Sequence, residues 1–516
     1  MTWAQFTLGA LVLLPVLTSA LTVAAPRSRE GQRRLGAGLG VLTAVALVAL
    51  MVPLLWTVTV DGDVIELALG GYQAPLGIHL RADGLSVAFL ALSVIVGGIV
   101  SVYAAAMPQA IGHRRFWPLW LACWGGLHAV FVSGDLFNTY VGLELVGMTA
   151  VGLVAIGGRD SWQAALRYLF VAVLGSLLLL LGIGLLVSVT GTLDVMQIRE
   201  VLAGSMDQQR PAVVLALGLI TVGMGLKVAL MPFHAWLIPA HAGAPSAVSA
   251  LLSALVIKAP VFVLLRLWLW VVPQGEDLRF LSLVLSVLGA TAIIAGAVLA
   301  LRQSRLKPLI AYSTVAQVGY WFLFAALIGG ASADSLTGMP GADVTEDEVI
   351  SSAVVGTVAL VLGHGVAKAA MFLAAGFLKD LYGTDEIARL RGVGRDHPGL
   401  VMAMGLAAVG LAGLPISLSF SGKWLVTTSA VATGEYWVVG VIVVGTVLSS
   451  AYLVTAIAPL LVESEDEGTA VELPKWQLDH TPALTQWAPL VLGLLTVGTG
   501  FLGAWLGGLL EVGAPW

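Results

Sequence analysis

The chain of 516 residues is 58% hydrophobic and 11% charged, against roughly 25% charged in soluble domains, which excludes a water-soluble globular fold. A net charge of −5 over that length offers no basic surface for nucleic acid. Cys123 is the single cysteine, so the chain has no internal disulfide and no cysteine cluster for iron–sulfur or zinc, and no cofactor is expected.

A helix that crosses a bilayer needs about 20 apolar residues, and runs of that kind follow one another along the chain. In order they cover about 5–25, 35–57, 84–106, 115–133, 136–157, 165–190, 212–238, 245–271, 278–301, 306–329, 350–376, 399–433, 435–460 and 485–508. The pattern predicts an all-α polytopic membrane protein with about fourteen transmembrane helices and no soluble domain. No Lys or Arg precedes the first run, whereas Arg27, Arg29, Arg33 and Arg34 follow it. That suits a retained first helix with its N-terminus outside, not a cleaved signal. Further along, Arg114, Arg115, Arg159, Arg302, Arg305, Lys307, Lys379, Arg389, Arg391, Arg395 and Lys475 fall on the same side as that first loop. Arg81, Arg199, Arg210 and Arg279 fall opposite, with the acidic run Asp343 to Glu348. The positive-inside rule makes the first side cytoplasmic and leaves both termini outside the cell membrane; the acidic 461–476 loop counts little in that rule.

Charges left inside the spans carry the information, because one at the bilayer centre costs roughly 2.5–3.5 kcal/mol even on insertion scales. Glu144, in the fifth span, is the one mid-span acid, while Lys227, Lys258, Lys368 and Lys423 are mid-span bases. Arg167 and Arg266 lie nearer span ends, where a long side chain can reach the interface. His128, His234 and His364 lie in spans, and His241 just beyond one. One acid cannot pair with four lysines, so structural ion pairing does not account for the set. Buried amines and imidazoles can hand protons along, since a desolvated amine gives up its proton more readily than one in water. The plainer readings are a fold-stabilising Glu144–Lys227 pair, and histidines at 234, 241 and 364 bonded to freed backbone groups. For His128 and Cys123 packing is the preferred role, and for Asp135 a helix start.

Two spans carry their own breaks. In "GLKVALMPFHAWLIPAHAGAP" (225–245) Pro232 is followed by Pro239; in "GLPISLSFSGKW" (413–424) Pro415 is followed by Ser417, Ser419, Ser421 and Lys423. Proline frees a backbone carbonyl, which hydrocarbon tolerates only against protein or water. Were the helix to persist through Pro232, His234 would lie two turns from Lys227 on one side. Breaks at matching places in two halves point to an ion site between inverted repeats. These breaks fall in the seventh and twelfth spans, which predicts two five-helix repeats, spans 4–8 and 9–13. The chain then divides into residues 1–110, 111–271, 272–461 and 462–516.

With these stretches stand "GDLFNTYVGLE" (134–144), "AHAGAPSAVSALLSALVIK" (240–258), "RLKPLIAYSTVAQVGY" (305–320) and "HGVAKAAMFLAAG" (364–376). In order and spacing the set resembles the antiporter-like subunits shared by respiratory complex I, membrane-bound hydrogenases and Mrp-type cation/proton antiporters. The resemblance covers about residues 80 to 460. "GDLFN" before the glutamate looks most like the D subunit of an Mrp complex; "AHAGAPSAVSA" suits a hydrogenase-type relative almost as well.

By position the resemblance implies that Glu144 pairs with Lys227 and gates it, and that Lys258 is the lysine of a central axis. It implies that His364 and Lys368 form the polar pair of the eleventh helix and that Lys423 stands at the exit. His234 and His241, which border the first break, are further candidates on the residues alone. Protons and monovalent cations (Na⁺ or K⁺) are the implied substrates, sister subunits of a hetero-oligomer the implied partners, and the chain is no enzyme in itself. A proton-pumping subunit of a redox complex is the alternative, and a scaffold with a dead channel fits four buried lysines least. A lysine-lined path repels Na⁺, which assigns protons to this chain and the cation to a partner. The sequence departs from the family pattern at Ile416 and Ser419, where Pro-Pro and a glycine are usual, and at Ile238, where the proline comes one residue late. Gln317 stands where many relatives have a histidine, which argues against a relay through that position.

Overall fold

The computed structural model describes residues 2–24, 29–75, 77–111, 113–271, 276–330, 345–462 and 483–516. Arg27, Asp343, Lys475 and the acidic loop from residue 463 onward lie outside them. The first part of the chain forms α1 (Trp3–Val23), α2 (Arg29–Trp56), α3 (Gly84–Ala106), α4 (Phe116–Phe131), α5 (Leu136–Ala155), α6 (Arg159–Thr190) and α7 (Val195–Val228). Short helices α8 (Leu237–Gly243) and α9 (Ser246–Leu251) lead to α10 (Lys258–Trp270). Then come α11 (Glu276–Leu301), α12 (Leu306–Tyr320), α13 (Phe324–Gly330), α14 (Glu346–Tyr382), α15 (Pro398–Ala412), α16 (Leu418–Ala432) and α17 (Tyr436–Leu461). The chain ends in α18 (Ala483–Gly498) and α19 (Gly503–Glu511). Strands β1 (Ile65–Ala68) and β2 (His79–Ala82) pair antiparallel.

Among the described residues, twelve helical segments are long and apolar enough to cross a membrane. The expected 115–133 span is α4, which has 16 residues, and the expected 399–433 span is split into α15 and α16. Helix starts are set by side chains that take up otherwise unpaired N–H groups. Asp83, Asp135 and Asp194 accept from Ser86, Asn138 and Gln197 at 3.1, 2.6 and 3.0 Å, opening α3, α5 and α7. Reciprocal Thr2/Gln5 and Thr345/Glu348 pairs open α1 and α14.

The centre of the molecule is α10, α12 and α14: every residue of α10 is buried, as is almost every residue of α12. Peripheral helices turn apolar side chains outward, among them Phe170, Leu177 and Leu181 of α6 and Val447 and Val454 of α17. In a bilayer that surface faces lipid.

The hairpin stitches one membrane face together. Gly134 N donates to His79 O at 2.8 Å and Arg81 N to Val132 O at 2.7 Å, while Leu136 N and Val195 N bond to Leu193 O and Gly134 O at 3.0 Å each. Gln5 Nε2 reaches Glu66 O at 3.0 Å and Gly84 N reaches Val512 O at 2.9 Å. The first and last described segments therefore meet at the hairpin. Behind it the position of Arg266 differs from the sequence reading. It does not reach for the interface: it is buried and donates to both Asp83 oxygens at 2.5 and 2.9 Å, its guanidinium 4.2 Å from the Trp270 ring. The cap of α3 supplies a carboxylate at the depth of Arg266, and a two-pronged bond to it replaces hydration.

This face makes two demands on stability that can be measured. Asp83→Ala strands the buried Arg266 and should cost about 3–5 kcal/mol, seen as loss of monodisperse protein after detergent extraction; unchanged recovery would contradict it. His79 Nδ1 lies 3.0 Å from Asp194 Oδ2, and that hydrogen bond raises the imidazole above its usual 6.5 against the opposing effect of burial. Its contribution is complete below about pH 6.5 and is lost as pH rises through the higher folded value. His79→Gln should therefore destabilise by about 1 kcal/mol in mildly acidic buffer and hardly at all in alkaline buffer, and an equal loss in both would rule out the charged bond.

Candidate functional site

Each proline-marked break brings a lysine to a helix C-terminus. Helix α7 stops at Val228, Ala229 turns left-handed at φ 61°, and a tight turn over Phe233–Trp236 precedes α8. Helix α15 stops at Ala412, Gly413 and Ile416 both have φ 70°, and α16 restarts at Leu418. A left-handed alanine or isoleucine is strained, and such strain collects at functional sites. Lys227 occupies the last turn of α7, and Lys423 Nζ donates to Ala412 O, the last residue of α15, at 2.8 Å. The Lys423 ammonium thus sits at the negative end of a helix, and Lys227 springs from the last turn of another.

Lys227 Nζ lies 3.4 Å from Glu144 Oε1, which also accepts a short hydrogen bond from Ser176 of α6. The lysine is almost fully buried and the glutamate about a quarter exposed. A Cβ at Gly175 would come 3.1 Å from Lys227 Cγ, so the glycine leaves room for the lysine stem. His234 is not stacked above Lys227: with the helix ended, it lies in the tight turn, its ring 6.4 Å from that of Tyr312.

The eighth span, continuous by sequence, contains a wide helical turn over Leu252–Val256. Lys258 Nζ donates to Ser253 O at 2.6 Å and lies 2.7 Å from His364 Nδ1. At that separation one proton serves both nitrogens: an ammonium donating to imidazole, or an imidazole donating to amine. The pair can trade it with no movement of heavy atoms. Trp321 closes the site, its ring 4.9 Å beneath the ammonium and edge-on to His364 at 5.0 Å. Lys368, one turn beyond His364 on α14, donates to Ile310 O at 2.8 Å and to the Ser313 hydroxyl. Lys423 also bonds Thr446 Oγ1 at 2.9 Å and lies 4.6 Å from the Tyr320 ring.

Helix α12 therefore runs through the site as a spine. Ile310 and Ser313 hold Lys368, Thr314 lies 3.2 Å from Ser253, Tyr320 underlies Lys423, and Trp321 in the turn after the helix underlies Lys258. Gln317 donates to Leu411 O at 2.8 Å and Tyr452 OH at 3.3 Å, tying the spine to α15 and α17. Sequence reasoning missed Ser176, Ser313, Tyr320 and Trp321. For the last three a signal existed: positions 313, 314, 317, 320 and 321 make a polar and aromatic stripe at helical spacing in an apolar span.

The other titratable candidates make no hydrogen bond to these lysines among the described residues. His241 is buried in α8 and stacked on Phe372 at 4.4 Å, with no hydrogen-bond partner for either ring nitrogen among the described residues. His128 bonds Leu11 O at 2.8 Å and Ser93 Oγ at 3.2 Å, a packing arrangement, and Cys123 is buried. Among the described residues no three His, Cys, Asp or Glu side chains converge as a metal site.

The family described as NADH:quinone oxidoreductase/Mrp antiporter, transmembrane, matches residues 133–339 and 349–449, a stretch that holds the whole axis from Glu144 to Lys423. The N subunit of the NADH-quinone oxidoreductase of Desulforudis audaxviator is 30% identical over 490 residues, 93% of each chain. The D subunit of the Na⁺/H⁺ antiporter of Alkalihalophilus pseudofirmus is 26% identical over 437 residues, 83% of this chain and 82% of that one. A chain of the Mrp complex from a Dietzia species has the same fold, with a TM-score of 0.83 at 22% identity, covering 99% of this chain and 96% of the other. A family match over most of the sequence, and a relative 30% identical along nearly all of it, make this chain an antiporter-like membrane subunit that belongs to the NADH:quinone oxidoreductase/Mrp antiporter family.

Proposed function

We propose that the chain is the proton-translocating subunit of a multisubunit monovalent-cation/proton antiporter, equivalent to the D subunit of an Mrp complex, working beside related subunits in the cell membrane with both ends outside. One observation carries the reading: three buried lysines gather on one helix spine, and a fourth pairs with the one mid-span carboxylate seen among the described residues. While Glu144 and Lys227 are paired, the lysine keeps its proton. When they part, the uncompensated ammonium releases it toward Lys258, which shares it with His364 across 2.7 Å. Lys368 continues the axis, and Lys423, at the second break, discharges it. The same reading takes the two broken spans as counterparts in inverted repeats, residues 111–271 and 272–461, flanked by 1–110 and 462–516. Ammonium groups at 227, 258, 368 and 423 oppose an alkali cation, so the exchanged ion crosses in a partner subunit.

A second reading has its own support, since the N subunit of a NADH-quinone oxidoreductase is 30% identical over 93% of the chain. The relay would then be driven by redox chemistry in other subunits. Purifying the native complex separates the two: flavin, iron–sulfur or nickel in stoichiometric amount would favour the redox complex, and their absence from an active complex the antiporter.

Glu144→Gln keeps shape but removes charge, and should abolish cation-driven proton movement in vesicles while the complex still assembles. Wild-type acidification or alkalinisation on adding NaCl would refute the gate. Lys258→Arg should also fail, because a guanidinium retains its proton at any physiological pH. Normal transport by that variant would make Lys258 a fixed charge and not a carrier.

A further inference from the structure

The i, i+4 ridge of α14 continues past the relay. After His364 and Lys368 it carries Phe372, Gly376 and Asp380, and α8 and α9 lie along it. His241 stacks on Phe372 at 4.4 Å. A Cβ at Gly376 would come 2.4 Å from Ser246 Cβ, so the glycine lets the start of α9 press against the ridge. Ser246 Oγ donates to Asp380 Oδ2 at 2.5 Å, and Asp380 is exposed at the helix end. Lys307 and Lys379 fix the intervening turn by donating to Ala244 O at 2.9 Å and Ala242 O at 3.1 Å. Asp380, Ser246 and His241 are thus spaced along the ridge between the membrane face that bears Lys307 and Lys379 and the buried Lys368, about 18 Å along the helix from Asp380 at 1.5 Å per residue. His241 is the informative member. A buried imidazole with neither nitrogen bonded among the described residues is an exception to the rule that buried polar groups find partners.

We propose that Asp380 is the proton-collecting residue of this chain, with Ser246 and His241 as the route from it to Lys368. Asp380 takes a proton from bulk water onto a carboxylate oxygen. Ser246 gains one proton as it gives up its own, His241 does the same through its two ring nitrogens, and the Lys368 amine receives it. Each step breaks one O–H or N–H bond and forms another, with no change of oxidation state. The inference rests on Lys368 belonging to the relay.

The test uses the intact complex in proteoliposomes and reads proton-driven sodium flux. Asp380→Asn keeps an acceptor for Ser246 but cannot titrate, and should slow transport about tenfold or more. Asp380→Glu should restore it. Raising the concentration of an impermeant sulfonate buffer should also restore the Asn variant, since a mobile donor replaces a lost collector but cannot repair a lost structural tie. Wild-type flux in Asp380→Asn, or a loss that buffer does not relieve, would overturn the proposal. Glu144→Gln is measured alongside. If it is inactive while Asp380→Asn runs at the wild-type rate, only the uptake route fails; if Glu144→Gln itself transports normally, the relay falls and this proposal with it.

Discussion

An ammonium group inside a membrane needs oxygen acceptors, and in this chain two of the four mid-span lysines, with two more at the membrane face, find backbone carbonyls at places where helices stop or widen. Lys258 takes Ser253 O in a wide turn, and Lys423 takes Ala412 O at the end of α15. Lys307 and Lys379 take Ala244 O and Ala242 O at the end of α8. Carbonyls near a helix C-terminus have no intrahelical donor and carry the negative end of the dipole. An interrupted helix therefore offers a lysine two things that hydrocarbon lacks: a lone pair and a favourable field. Among the described residues, Glu144 is the only carboxylate seen to share this work in the middle of a span, and its partner Lys227 also lies in a terminal turn.

This arrangement bears on function because carbonyls hold an ammonium without binding it permanently. A carboxylate beside each lysine would fix every charge, whereas a neutral acceptor leaves the amine free to lose and regain a proton. Helix α12 gathers three of the lysines. Its stripe of Ser313, Thr314, Gln317 and Tyr320, with Trp321 just beyond, touches three lysines on two sides. The aromatic rings sit beneath Lys258 and Lys423, where a π-face eases a cation's desolvation without adding charge.

The spans and the two large breaks were legible because both depend on local chemistry: apolar length for the spans, and a missing N–H at Pro232 and Pro415 for the breaks. The wide turn at Leu252–Val256 and the interruption at Trp321 were not legible, since neither "LSALV" nor "WFL" contains a helix breaker. Of these, the turn at 252–256 delivers Ser253 O to Lys258. The depth of the four mid-span lysines was readable, but that of Arg266 was not, and neither were the partners. Arg266 finds Asp83 at a separation of 183 positions, and Lys258 finds His364 at 106. The pairing of Glu144 with Lys227, 83 positions apart, came from family resemblance and not from spacing.

The central claim is that Glu144 at one end of the axis governs protonation at its middle. Nitrogen NMR on the intact complex with labelled histidine reads this directly, through the His364 ring that lies against Lys258. Under an imposed pH gradient, the account predicts that the His364 resonances of wild type and Glu144→Gln differ in tautomer or protonation. Superimposable His364 signals in the two complexes, with wild type transporting, would contradict it.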